Sequence, residues 1–255
     1  MDGRQVPAAR GLLTRSLDGP LSETERVAAA RSVVVALGAR KRLRDLVAEL
    51  AAGGQDAEEC ARLSYRHVLG FDKLLLLRDG TRHMLRAHVW HPGARDAGAE
   101  DVHNHRCALA SYVVCGRLSM EVYEHEPCAP DEPGATPEPD DGVIRAVRYR
   151  ESLGPGPAAQ WRLEPVGRAR LRLAHTGRYA AGSDYGLPAR TLHRAWCDTA
   201  APTVTLFLET GAGRRSHTDV FTTAGPHPRS VPKVPLGVPE YLAALDSLAR
   251  LLSGA

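Results

Sequence analysis

Apolar and polar positions alternate with one rhythm in the first quarter of the chain and with another from Phe71 onward. In the first quarter Val27, Val34, Leu37, Leu43, Leu46, Val47 and Leu50 recur at spacings that put them on one helical stripe. Ser22-Glu23-Thr24-Glu25 precedes that run as a capping box, in which serine and glutamate satisfy each other's free helix-start amides. The pattern predicts a helix broken near Gly38 and ended by Gly53-Gly54, and another helix over 56–68. Residues 1–20, with Pro7, Gly11, Gly19 and Pro20, read as an irregular lead-in. From Phe71 the period shortens. Lys73 to Leu77 and Arg82 to Trp90 flank the turn signal Asp79-Gly80 and predict a hairpin, and Ala110 to Cys115 with Leu118 to Tyr123 predict a second about Gly116-Arg117. Further strands are predicted over 143–149, 168–173, 203–209 and 218–222. The segment 126–141, dense in Pro, Asp, Glu and Gly, has too little apolar surface to order itself and reads as an exposed insertion. Tyr241, Leu242, Leu245, Leu248, Leu251 and Leu252 then mark one face of a closing helix over 239–252.

Size and charge narrow the possibilities. A chain of 255 residues can bury a full core within one domain. Its 33 Lys and Arg against 30 Asp and Glu leave a net charge of +3, with the arginines scattered, which argues against a nucleic-acid-binding face. Nowhere do about eighteen apolar residues follow one another, and no apolar run follows a basic tip at the start, so neither a membrane span nor a secretion leader is expected. Five cysteines (Cys60, Cys107, Cys115, Cys128 and Cys197) in no paired spacing fit free thiols in a reducing cytoplasm.

The candidate chemistry lies in Asp101-Val102-His103-Asn104-His105-Arg106. Two histidines one residue apart share a face of a β-strand, so both imidazoles can reach one ion. Far downstream, Tyr185 to Arg194 supplies a turn and a third histidine, His193. Three neutral nitrogen donors suit a divalent transition metal that keeps positions open for a substrate or oxygen. The spacing from His103-x-His105 to Gly116, and Pro188 five residues before His193, resemble the two motifs of the cupin superfamily. Leu109 stands about where the commoner cupin pattern has a ligating glutamate. A three-histidine set is similar to the cysteine dioxygenase-like, or thiol dioxygenase, branch. Phe71 and Lys73 on an early strand, Val89-Trp90 before a Gly-containing loop, and Leu192-His193-Arg194 add to that resemblance, which spans roughly residues 65–222.

The resemblance implies a mainly β fold, a cupin jelly-roll barrel with N-terminal helices and a C-terminal helix. Residues 1–68 would be a helical extension packed on the barrel, 69–225 the barrel with its insertion at 126–141, and 226–255 a tail and helix. It implies a non-haem oxygenase using Fe(II) and O2 on a small amino acid or thiol, with cysteine or a derivative first, by sulfur oxygenation or oxidative rearrangement in a biosynthetic setting. His103, His105 and His193 would hold the metal; Ni, Co, Zn or Mn remain alternatives to iron. Lys73 stands about where the branch carries an arginine for the substrate carboxylate, and Arg86 is a second candidate cation. His88 shares strand parity with Arg86 and Trp90 and faces either the pocket or the core. The branch's cysteine–tyrosine pair is missing: its places fall on Ala110 or Leu109 and on Glu209, with Cys107 too early. Glu209 is therefore the candidate catalytic or amine-binding carboxylate. Two other classes stay open, a non-redox metal-dependent isomerase, lyase or hydrolase and a non-enzymatic ligand-binding cupin. A homodimer is a further expectation from the resemblance.

Overall fold

A computed structural model describes residues 4–54, 56–67, 70–92, 100–126, 142–154, 160–197, 199–223 and 228–254. Four helices come first: α1 (Gln5–Leu17), α2 (Glu23–Gly38), α3 (Arg40–Ala51) and α4 (Ala57–Leu63). The capping box is present, with the Ser22 amide donating to Glu25 Oε2 at 2.9 Å and the Glu25 amide to Ser22 Oγ at 3.3 Å. The break between α2 and α3 falls at Ala39, beside Gly38.

Two expectations need correction here. The lead-in is a helix, α1, which buries Ala9, Leu13 and Leu17. Pro7 lies in its first turn, where the missing N–H costs no intrahelical bond. The second helix is shorter than 56–68: it stops at Leu63, and the chain turns into a strand at Tyr65.

The strands form two antiparallel sheets. The first is ordered β1 (Tyr65–Arg66), β2 (Phe71–Asp79), β3 (His83–Trp90), β11 (Thr203–Glu209), β5 (Leu109–Cys115) and β9 (Asp184–Leu187). The second runs β13 (Ser230–Pro232), β8 (Gln160–Ala180), β6 (Arg117–Glu126), β10 (Leu192–Trp196), β4 (Val102–His103), β12 (Thr218–Thr222) and β7 (Val143–Leu153). The 21-residue β8 pairs with β7 along its first half and with β6 along its second, so pairings run in a closed circuit within this second sheet. Among the described residues no strand ladder joins the two sheets into one barrel.

The hairpin of β2 and β3 forms about Gly80, with Lys73 opposite His88. The second expected hairpin does not. β5 and β6 belong to different sheets, and at Gly116 (φ +78°) the chain turns the corner between them. Residues 127–141, nearly all of the expected insertion, lie outside the described residues.

Period-two alternation sorts side chains between the faces of the first sheet. Leu85, Ala87 and Val89 of β3 and Val204, Leu206 and Leu208 of β11 join Leu13, Leu37, Val47 and the closing helix α5 (Val238–Ser253) in the largest core cluster. Tyr241 of α5 is buried there and donates to the Leu75 carbonyl at 2.6 Å. Arg86, His88, Phe207 and Glu209 alternate onto the opposite face, toward the second sheet.

Candidate metal centre

His103 ends β4 and stands directly opposite His193 of β10 in the antiparallel register. His105 lies two residues on, just past the strand, where its amide donates to the Ala189 carbonyl at 3.1 Å. The three rings converge, with one donor atom of each lying within 4.8 Å of the others. His105 Nε2 and His193 Nε2 are 3.3 Å apart. Two nitrogens about 2.0–2.1 Å from one ion and at about 90–110° to each other would lie about 2.8–3.4 Å apart, so that pair matches a shared coordination sphere.

The far nitrogens set the tautomers. His103 Nδ1–H donates to the Asp101 carbonyl at 3.0 Å and His193 Nδ1–H to the Thr191 carbonyl at 3.1 Å. Each ring therefore keeps its Nε2 lone pair free for an ion, the arrangement usual behind metal-binding histidines. Burial first, then the neighbouring histidines or Lys73, pulls all three pKa values below the ordinary range, His193 to about 4. The rings are neutral at pH 7, as a ligand must be.

Asn104 faces away from the rings. It is buried and donates to Asp219 Oδ2 at 2.9 Å, while its Oδ1 receives the Asp219 amide at 2.8 Å. Asp219 also receives Arg148 at 2.7 Å and Arg215 at 3.0 Å. Burial would raise its pKa, but those bonds outweigh it and hold the carboxyl at about 2.

Beside the cluster a cavity of about 600 Å³ opens between the sheets. Lys73, Arg86, His88, His103, His105 and Glu209 all line it, and His193 stands behind His105. Glu209 Oε2 lies 3.8 Å from Arg86 and 3.9 Å from Arg214; against burial, these guanidiniums hold its carboxyl below the usual range. Arg86 is buried and also donates to the Leu63 carbonyl at 3.0 Å. His88 stacks on Phe207 at 4.6 Å, its buried Nε2 has no hydrogen-bond partner, and burial drives its pKa well down. Cys107 is buried, and burial and Glu209 push its thiol up to about 12, which makes it unreactive.

Sequence reasoning missed His67 and Glu100, both of which line the cavity. His67 fell inside the overlong helix. Glu100 fell in a loop, yet its carboxylate receives the Ala195 amide of β10, and burial pushes its pKa up to about 7 against the lowering pull of that bond, His193 and Lys73. A proton can therefore move on and off Glu100 near neutrality. Its three-residue distance from His103 was the available signal.

No family model matches the chain, and no curated protein does. Among solved structures it is similar to an RmlC-like cupin from Shewanella frigidimarina, with 17% identity over 58% of this chain and 83% of that one and a TM-score of 0.32. It is also similar to hydroquinone 1,2-dioxygenase from Sphingomonas sp. TTNP3, with 15% identity, 64% and 71% covered and a TM-score of 0.31. L-ribose isomerase from Acinetobacter sp. DL28 gives 20% identity, 64% and 56% covered and a TM-score of 0.26. Likeness this partial leaves the site to be argued from its own geometry. The chain itself displays two antiparallel sheets, helices at both ends, and a histidine triad able to hold a metal ion. None of its described helices is long and apolar enough to cross a membrane.

Proposed function

We propose that the protein is a metal-dependent cupin oxygenase of the non-haem type, with Fe(II) held by His103, His105 and His193 and a small amino acid or thiol, cysteine or a derivative first, as substrate. The observation that carries this reading is the convergence of three neutral imidazoles, a set that includes no carboxylate among the described residues. Such a set leaves a divalent iron with more effective charge than a site containing a carboxylate, which favours a thiolate ligand and supplies dioxygen chemistry.

The chain's own residues would bind and orient the substrate. Lys73 sits on the β2 strand with its ammonium 5.4 Å from the Phe71 ring and would meet a substrate carboxylate. Glu209, kept anionic between Arg86 and Arg214, would hold a substrate ammonium; a carboxylate lowered from its ordinary range is a poor proton acceptor at neutral pH. His88 and Phe207 would form the apolar wall that keeps water out. Glu100 favours a second reading, since a carboxyl that titrates near 7 beside the cluster suits proton transfer in a non-redox isomerase or lyase.

The deciding experiment is metal analysis of protein purified without chelator, followed by oxygen uptake of the Fe(II)-loaded form with L-cysteine and a panel of small amino acids. Iron-dependent uptake with one substrate is expected, and His103→Ala, His105→Ala and His193→Ala should each lose most bound metal while staying folded. Full metal content in all three variants would refute the site; bound zinc or nickel without oxygen uptake would move the reading to the non-redox class.

A further inference from the structure

Residues 230–236 run along the cavity as a strap that ties the two sheets together. At one end Val231 of β13 pairs with Trp161 of β8 in the second sheet. At the other, Pro235 pairs with Tyr65, and the Leu236 amide donates to the Ser64 carbonyl at 2.9 Å, on the first sheet. Lys233 lies at mid-span. Its neighbour Val234 is 72% exposed, whereas Lys233 turns inward, lines the cavity and places its ammonium 4.8 Å from the centre of the Tyr65 ring. The Lys73 ammonium approaches the same ring at 5.8 Å.

Neither lysine is paired with a carboxylate among the described residues. Of the acids that line the cavity, Glu209 faces Arg86 and Arg214, Glu100 receives the Ala195 amide, Glu151 receives the Thr218 hydroxyl, and Asp101 stands beside Glu100. Burial, then Arg86, Lys73, Arg62 and Arg106, pulls the Lys233 pKa down to about 8. Lysines and arginines outnumber the carboxyl groups that line the cavity, and an excess of cations in a partly enclosed site raises the local concentration of anions. Ammonium groups serve phosphate and carboxylate as point charges.

We propose that Lys233 and Lys73 form a dianion subsite at the Tyr65 end of the cavity, and that the molecule presented to the histidine cluster carries a doubly charged oxyanion end, a phosphate or a pair of carboxylates. The subsite rests on the reading of the cavity as a metal-centred pocket and narrows its substrate from cysteine itself to a derivative that bears the dianionic end. Lys233 belongs to the tail, outside the stretch that resembles the thiol dioxygenases.

The test is calorimetric titration of chelator-treated protein with inorganic phosphate, malonate and acetate. At least one dianion should bind ten times or more tighter than acetate at pH 7 and weaken at pH 9 as Lys233 loses its proton. Lys233→Gln should weaken it tenfold or more and Lys233→Arg should retain it. Which dianion binds distinguishes a phosphate end from a dicarboxylate. Dianions that bind no tighter than acetate, or a Lys233→Gln variant that binds them as well as the parent, would overturn the subsite. The same titration on His193→Ala separates the two readings, because that variant should lose metal and keep the dianion.

Discussion

Asn104 stands between two of the three clustered histidines and turns its amide the other way, onto a carboxylate 115 residues later in sequence. The strand parity of His103-Asn104-His105 made its outward direction legible. Its partner was not, because Asp219 is one acid among many in sequence and only the pairing of β12 with β4 brings it close. A buried carboxylate that receives Arg148, Arg215 and Asn104 fixes the backbone from which two ligands project. Asp219→Ala should cost roughly 2 kcal/mol of stability, the scale of hydrogen bonds to a charged group. It should also weaken metal binding about ten- to a hundredfold, as loss of a group that orients ligands does. Chemical denaturation and competitive metal titration would check the two effects, and unchanged metal affinity would free the histidines from this dependence. The three histidines were legible from their spacing, and Lys73, Arg86, His88 and Glu209 were expectations from strand parity and the resemblance, whereas Lys233 and His67 join the same cavity only through tertiary packing.

Between elements, the informative positions are those where one periodic pattern hands over to another. Gly116 looked like a hairpin tip because strand-like runs flank it. The flanking runs instead enter different sheets, and hydrophobic alternation carries no record of which neighbour a strand will pair with. Its positive φ disfavours any side chain, and a Cβ there would come within 2.8 Å of Thr203 Cα on β11. The Arg117 amide also donates to Thr203 Oγ1 at 3.1 Å, so the corner is pinned to the first sheet. Gly116→Ala should lower stability by about 2 kcal/mol or more, from strained backbone and overpacking together. A thermal midpoint equal to the parent's would contradict that. The helices were easier to read: the α2 cap and the α5 face were visible, and α1 was hidden by a proline that its first turn tolerates.

For the molecule as a whole, the buried titratable groups set the pH response. The three histidines have folded pKa values below their unfolded value near 6.5, so the unfolded chain binds more protons as pH falls through that range, and stability must drop. His193 alone accounts for about 2 kcal/mol between pH 6.5 and 5, at about 1.4 kcal/mol per unit. Glu100, with its pKa raised to about 7, works the other way, losing stability as pH rises from about 4.5 to 7, but it is one group against three. Urea midpoints of the metal-free protein should therefore fall from pH 7 to pH 5, and less steeply in His193→Asn; an equal slope would place the His193 effect elsewhere. The overall class was legible because two sheets of alternating strands and a spaced histidine set leave marks in sequence. The closed circuit within the second sheet left none, since it depends on one strand serving two partners.

The late place in sequence of two inner strands, β11 and β12, bears on how the protein is made. β11 fills the gap between β3 and β5, and β12 the gap between β4 and β7. A nascent chain has neither until residues 203–222 emerge from the ribosome, so four strand edges stay open through most of synthesis. Open edges recruit other chains. Messages truncated before codon 203 should yield aggregate, whereas loss of the stretch after β12 would leave both sheets with their inner strands complete.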